Sequence, residues 1–85
     1  MYLHLGQDVI VRKKDIVGIF DIENASLSKR TKQFLAQATK SGRVCNVTYE
    51  MPKSFIVCEE EGRVTVYISQ ISSRTLLKRA AQFAV

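Results

Sequence analysis

Residues 54–59 and 63–68 are two short, mostly apolar runs on either side of Glu60-Glu61-Gly62, and that arrangement dictates a β-hairpin. Val64, Val66 and Ile68 alternate with Thr65 and Tyr67, the period of a strand with one face on a core and the other toward water. A hairpin alone is marginal in water, so the rest of the chain must supply further strands and something to cover the apolar face.

The remaining segments can do so. Residues 2–5 and 9–11 surround Gly6 as two short strands, and residues 16–20 read as a third. Between the second and third, Arg12-Lys13-Lys14-Asp15 reads as the tip of a hairpin, where long cations are solvated and can reach a phosphate. A helix is expected over residues 27–41. Ser26 is its expected N-cap, and Gly42 supplies the left-handed residue that ends it. Leu27, Thr31, Phe34, Leu35 and Ala38 fall on one helical stripe, Lys29, Lys32 and Lys40 lie opposite, and Arg30 flanks the stripe. Residues 43–49 alternate as a half-buried strand, and Pro52 confines the next segment to a turn or strand start. Ser72 or Ser73 caps a final helix carrying Leu76, Leu77, Ala80, Ala81 and Ala84, an apolar surface broad enough to suggest a second subunit. The expected fold is α+β: a small, mainly antiparallel sheet with its helices on one face, in a single domain over residues 1–85.

Charge is segregated along this order. Residues 24–49 carry Lys29, Arg30, Lys32, Lys40 and Arg43 with no acid, and residues 62–85 carry Arg63, Arg74, Lys78 and Arg79 with none. The acids collect before residue 24 and between residues 50 and 61, leaving a net charge of +5. Lys29 and Lys32, three apart on a helix, repel by a few tenths of a kcal/mol, roughly, unless an anion screens them. A basic helix face of this kind suits a polyanion, although a solvated face accounts for the same pattern.

Catalytic chemistry finds little support. His4 is the only imidazole, on an expected strand without a partner, and there is no phosphate-binding glycine loop. Cys45 and Cys58 lack the spacing of a zinc or redox pair and read as buried free thiols, and Glu59-Glu60-Glu61 reads as a solvated turn. No enzyme activity, cofactor or metal is expected. No apolar run reaches the roughly 18 residues of a membrane span, and the first residues do not read as a leader, so a cytoplasmic protein is expected and the two glycosylation sequons are discounted.

Several local patterns occur together: Leu5-Gly6, the strands around Ile10-Val11 and Ile16-Val17-Gly18-Ile19, the S-x-x-K-R of residues 26–30, the N-V-T-Y of residues 46–49, and the V-x-x-S-Q-I of residues 66–71. In this order and spacing they resemble the RemA/RemB family of bacterial extracellular-matrix regulators, the RemB branch most of all. The resemblance implies a cytoplasmic DNA-binding regulator with a LytTR-like fold that assembles into closed homo-oligomeric rings and activates biofilm-matrix genes. It matches Lys29 and Arg30 to a Lys-Arg pair that contacts DNA. After Tyr49, where RemA-like chains have a glycine and two arginines, this chain has Glu50, Met51 and Pro52. Asp15 stands where they carry an arginine, beside Lys13 and Lys14. The expected partner is double-stranded DNA, contacted by Lys13, Lys14, Lys29, Arg30 and Lys32 of a homo-oligomer. The alternative is a protein-interaction regulator that keeps the fold but has lost direct DNA binding and acts through a related regulator. A weaker third reading is a peripheral membrane protein using the basic last helix.

Overall fold

The structure, a computed structural model that describes residues 1–22 and 28–81, is a three-layer α+β fold. Strands β1 (Tyr2–Gly6) and β2 (Val9–Arg12) form a two-stranded antiparallel hairpin. A 3₁₀ turn, Lys13–Asp15, leads to β3 (Ile16–Asp21). Helix α1 (Lys29–Lys40) precedes β4 (Val44–Asn46), β5 (Ser54–Glu60), β6 (Arg63–Ser69) and helix α2 (Ser73–Ala81). The second sheet has the order β3-β5-β6-β4.

The β5–β6 hairpin forms with Ser54 opposite Ser69 and Glu60 opposite Arg63. Its turn is Glu61-Gly62, both with positive φ (51° and 78°), the backbone that matches the twist of a tight hairpin and that glycine adopts without penalty. Gly42 likewise ends α1 at φ 72°. The final helix is capped by Ser72, whose hydroxyl accepts from the Thr75 amide at 3.1 Å.

The pairing is mainly antiparallel, as expected: β3, β5 and β6 pair antiparallel, and only the short β4 runs parallel, to β6. Four expectations are corrected. The helices lie on opposite faces. Phe55 and Val57 of β5 pack with Ala38 and Leu35 of α1, whereas Ile56 and Cys58 of the same strand pack with Leu76 of α2 and with Leu3, Leu5 and Val11 of the first hairpin. Tyr67 therefore points into a second layer, not into water. Helix α1 is capped by Ser28, which accepts from the Thr31 amide at 3.1 Å; Ser26 and Leu27, like Ala84, lie outside the described residues. Finally, β2 and β3 do not form a hairpin. They belong to different sheets, and the tight turn between them is held by Arg12 Nε donating to Asp15 at 2.8 Å and by the Lys13 amide donating to the Met1 carbonyl at 2.9 Å.

The two sheets are fastened through serine. Ser69 is fully buried; its hydroxyl donates to the Leu5 carbonyl at 2.6 Å and accepts from the Ile71 amide at 3.0 Å. Its cross-strand neighbour Ser54, also fully buried, donates to the Ile71 carbonyl at 2.7 Å. Ser69→Ala strands a buried carbonyl and an amide, so it is expected to lower unfolding free energy by about 2 kcal/mol in denaturant titration. A change below about 0.5 kcal/mol would show that water replaces the hydroxyl.

Candidate nucleic-acid interface

The first turn of α1 holds three cations and no acid. The macrodipole already makes that end positive, so Lys29, Arg30 and Lys32 stand where basic side chains are least comfortable and where an anion is most stabilising. All three are exposed, and among the described residues none forms an ion pair. Helical spacing sets Lys29, Lys32 and Lys40 on the face away from Ala38, which is fully buried against the sheet. Arg30 is turned about 100° from Lys29 around the axis. It borders an apolar groove with Phe34 and Thr31 of its own helix.

Lys13 and Lys14 are not brought to this face. Lys13 Nζ donates to the carbonyl of Ala80 near the end of α2, the helix on the opposite side of the sheet. That carbonyl is among the last of the helix, where cations satisfy unpaired acceptors and oppose the negative dipole end. Lys13 thus has a structural task, and exposed Lys14 sits beside it. Lys78 and Arg79 occupy the same last turn of α2. The five expected contacts divide into two patches on opposite faces.

Arg12 is committed as well. Besides Asp15, it reaches Glu60 at 3.0 Å, and these carboxylates, Asp15 foremost, push its pKa up. The pair closes one side of a cleft of about 220 Å³ between the first hairpin and the β5–β6 hairpin, lined also by Tyr2, Cys58, Arg63 and Tyr67. Charges of both signs face one another there, so the cleft has no net pull on a polyanion. His4, exposed on β1, donates from Nε2 to the Gln7 carbonyl at 2.6 Å and caps the first turn. Among the described residues no cluster of His, Cys, Asp and Glu could hold a metal ion, and no helix is long and apolar enough to cross a membrane.

The groove beside Arg30 was not foreseen. Its floor is Phe20 stacked on Phe55, ring centroids 4.9 Å apart, and it is flanked by Val17, Val57 and Phe34. Gly18 makes this possible, since a Cβ there would lie 2.6 Å from the Phe20 ring. The pairing shift between Ile16 and Gly18 leaves Val17 as the extra residue of a bulge, 65% exposed. The only sequence signal was Gly18 two residues before an aromatic; nothing marked the bulge.

Fold and surface together define a small α+β domain with a basic helix face, unpaired among the described residues, and an apolar groove beside it. The chain belongs to the RemA-like family, described as extracellular matrix regulatory protein A-like, which it matches over residues 2–80. It is 40% identical over 80 residues to extracellular matrix regulatory protein B of Bacillus subtilis (strain 168), across 94% of this chain and 90% of that protein.

Both cysteines are free. Cys58 is 5% exposed, and burial, with Asp15 and Glu60 nearby, pushes its thiol up to about 11. Near pH 8 roughly one Cys58 in a thousand is then a thiolate. In a Cys45→Ser protein, a small disulfide reagent is expected to titrate no fast thiol until denaturant is added. Rapid stoichiometric reaction of the native variant would show that the strand opens.

Proposed function

We propose that this protein is a cytoplasmic, non-catalytic regulator of extracellular-matrix genes that binds double-stranded DNA as a homo-oligomeric ring, through a single LytTR-like domain over residues 1–85. The observation that carries the reading is the acid-free first turn of α1, with Lys29 and Lys32 exposed, directed outward and unpaired among the described residues. Membership in the RemA-like family and the name of the Bacillus subtilis relative support matrix regulation as its purpose.

Contacts of this kind are to phosphate. Lysines on a rigid helix read charge and spacing, whereas base readout calls for Asn, Gln or Arg reaching groove edges, and α1 presents Gln33, Gln37 and, beside the apolar groove, Arg30. A single copy would bind feebly. Copies held in a ring make each later contact intramolecular, which raises avidity without new chemistry. Lys13 and Lys14, on the other face, add to the same binding where a neighbouring copy or curved DNA brings that face within reach.

A second reading rests on the loop after β4. Tyr49 and Met51 there are exposed to 105% and 80%, an apolar surface in which Met51 stands where the resemblance implies a cation. A regulator that kept the fold and acted through protein contacts, a related regulator among them, would present such a surface.

Mobility shift and salt titration on a matrix-gene promoter separate the two. Log Kd is expected to depend steeply on log salt, and Lys29→Ala with Lys32→Ala to reduce the slope by about 1.8, near 0.9 for each phosphate no longer neutralised. No shift at low salt with assembled protein overturns the DNA-binding reading. Under the protein-contact reading, Lys29→Glu with Arg30→Glu leaves promoter binding unchanged, and Tyr49→Ala with Met51→Ala weakens pull-down of the partner.

A further inference from the structure

The groove beside α1 and the loop after β4 are complementary. The groove measures about 350 Å³, Phe20 in its floor and Phe34 at its side are exposed to 45% and 36%, and among the described residues that line it Arg30 carries the charge. The loop presents two apolar side chains, Tyr49 and Met51, on either side of the opposite charge of Glu50, with exposed Lys53 two residues beyond Met51. The loop is held in shape: Thr48 Oγ1 accepts from the Glu50 amide at 3.3 Å, and Pro52 fixes its own φ where the chain turns toward β5. An extended apolar side chain on a preorganised loop loses little entropy on docking.

None of Tyr49, Glu50 and Met51 lines the groove of its own chain. The groove lies between α1 and strands β3 and β5, whereas the loop crosses from β4 to β5, with Tyr49 and Glu50 bordering a separate pocket beside Ile68 and Ser69 of β6. A projection and a receptor formed by different patches of one chain belong to a head-to-tail contact, which propagates from copy to copy and closes where the rotation allows.

We propose that Tyr49 and Met51 of one copy insert into the Phe20–Phe34 groove of the next, with Glu50 of the first meeting Arg30 of the second. This rests on the homo-oligomeric reading above and names the surface that makes it. The thioether and phenol rings meet an aromatic floor, a contact that both sulfur and ring edges favour. The ion pair selects register at the rim, since a like charge placed opposite is strongly disfavoured. Arg30 then serves the subunit contact, while Lys29 and Lys32 remain free for phosphate.

Charge exchange tests it, read as mass by light scattering without DNA. Arg30 and Glu50 are both exposed, so their substitution leaves the fold intact, which circular dichroism checks. Arg30→Glu alone and Glu50→Arg alone are each expected to raise the concentration for half-assembly by about tenfold or more. An equimolar mixture of the two variants, in which each groove can find an opposite charge on the other chain, is expected to reassemble to the wild-type mass, as is the double variant. If the wild type is assembled and the single variants assemble equally well, or if mixing restores nothing, the contact is elsewhere and the inference falls while the homo-oligomer stands. A wild type that stays monomeric at every concentration overturns both.

Discussion

Strand β5 is buried along Ser54–Cys58 on both of its faces, and the rest of the molecule is arranged to make that possible. A strand that alternates between two cores needs a cover on each side, and in a chain of 85 residues there is little material for either. One helix closes the first layer through Ala38 and Leu35, and a hairpin with a second helix closes the other through Leu3, Leu5 and Leu76. Neither layer is large. The buried Ser69 hydroxyl, donating to the Leu5 carbonyl, ties the four-stranded sheet to the hairpin of the second layer.

That constraint explains which parts of the fold could be read from the residues. The β5–β6 hairpin was legible because Glu61-Gly62 is a turn signal and the flanking runs alternate, and α1 was legible because its stripe recurs at helical spacing. The distribution of helices over two faces was not. Tyr67 is amphipathic enough to pass for part of a solvent face, and only the partner layer decides that it packs inward. Similarly, Arg12-Lys13-Lys14-Asp15 has the composition of a hairpin tip; long-range contacts to Glu60 and Ala80 made it a crossover between sheets instead. Period and turn chemistry are local, whereas layer assignment is set by residues far apart in sequence.

The same division applies to the basic residues. Sequence spacing separated Lys29 and Lys32 from the apolar stripe correctly, because a helix wheel is fixed by geometry. It could not say that Lys13 spends its ammonium group on the end of α2, nor that Arg30 borders a groove. Counting cations therefore overstates what is available to a polyanion. Of the five expected contacts, Lys29, Lys32 and Lys14 are the ones with no other task visible in the fold.

On the readings proposed above, binding and assembly would meet at one place, the first turn of α1. Lys29 and Lys32 would take phosphate and Arg30 a subunit contact on one rigid helix, so fixing the helix against a neighbouring copy would also fix the direction of the lysines. The entropy of ordering those side chains is then shared between two functions. Where the resemblance implies a basic pair, Glu50, Met51 and Pro52 leave two cations out of a potential phosphate track and supply an apolar projection with a carboxylate. On the proposed contact, that exchange moves free energy from each copy's grip on DNA to the grip of copies on one another, and multivalency returns part of it to DNA.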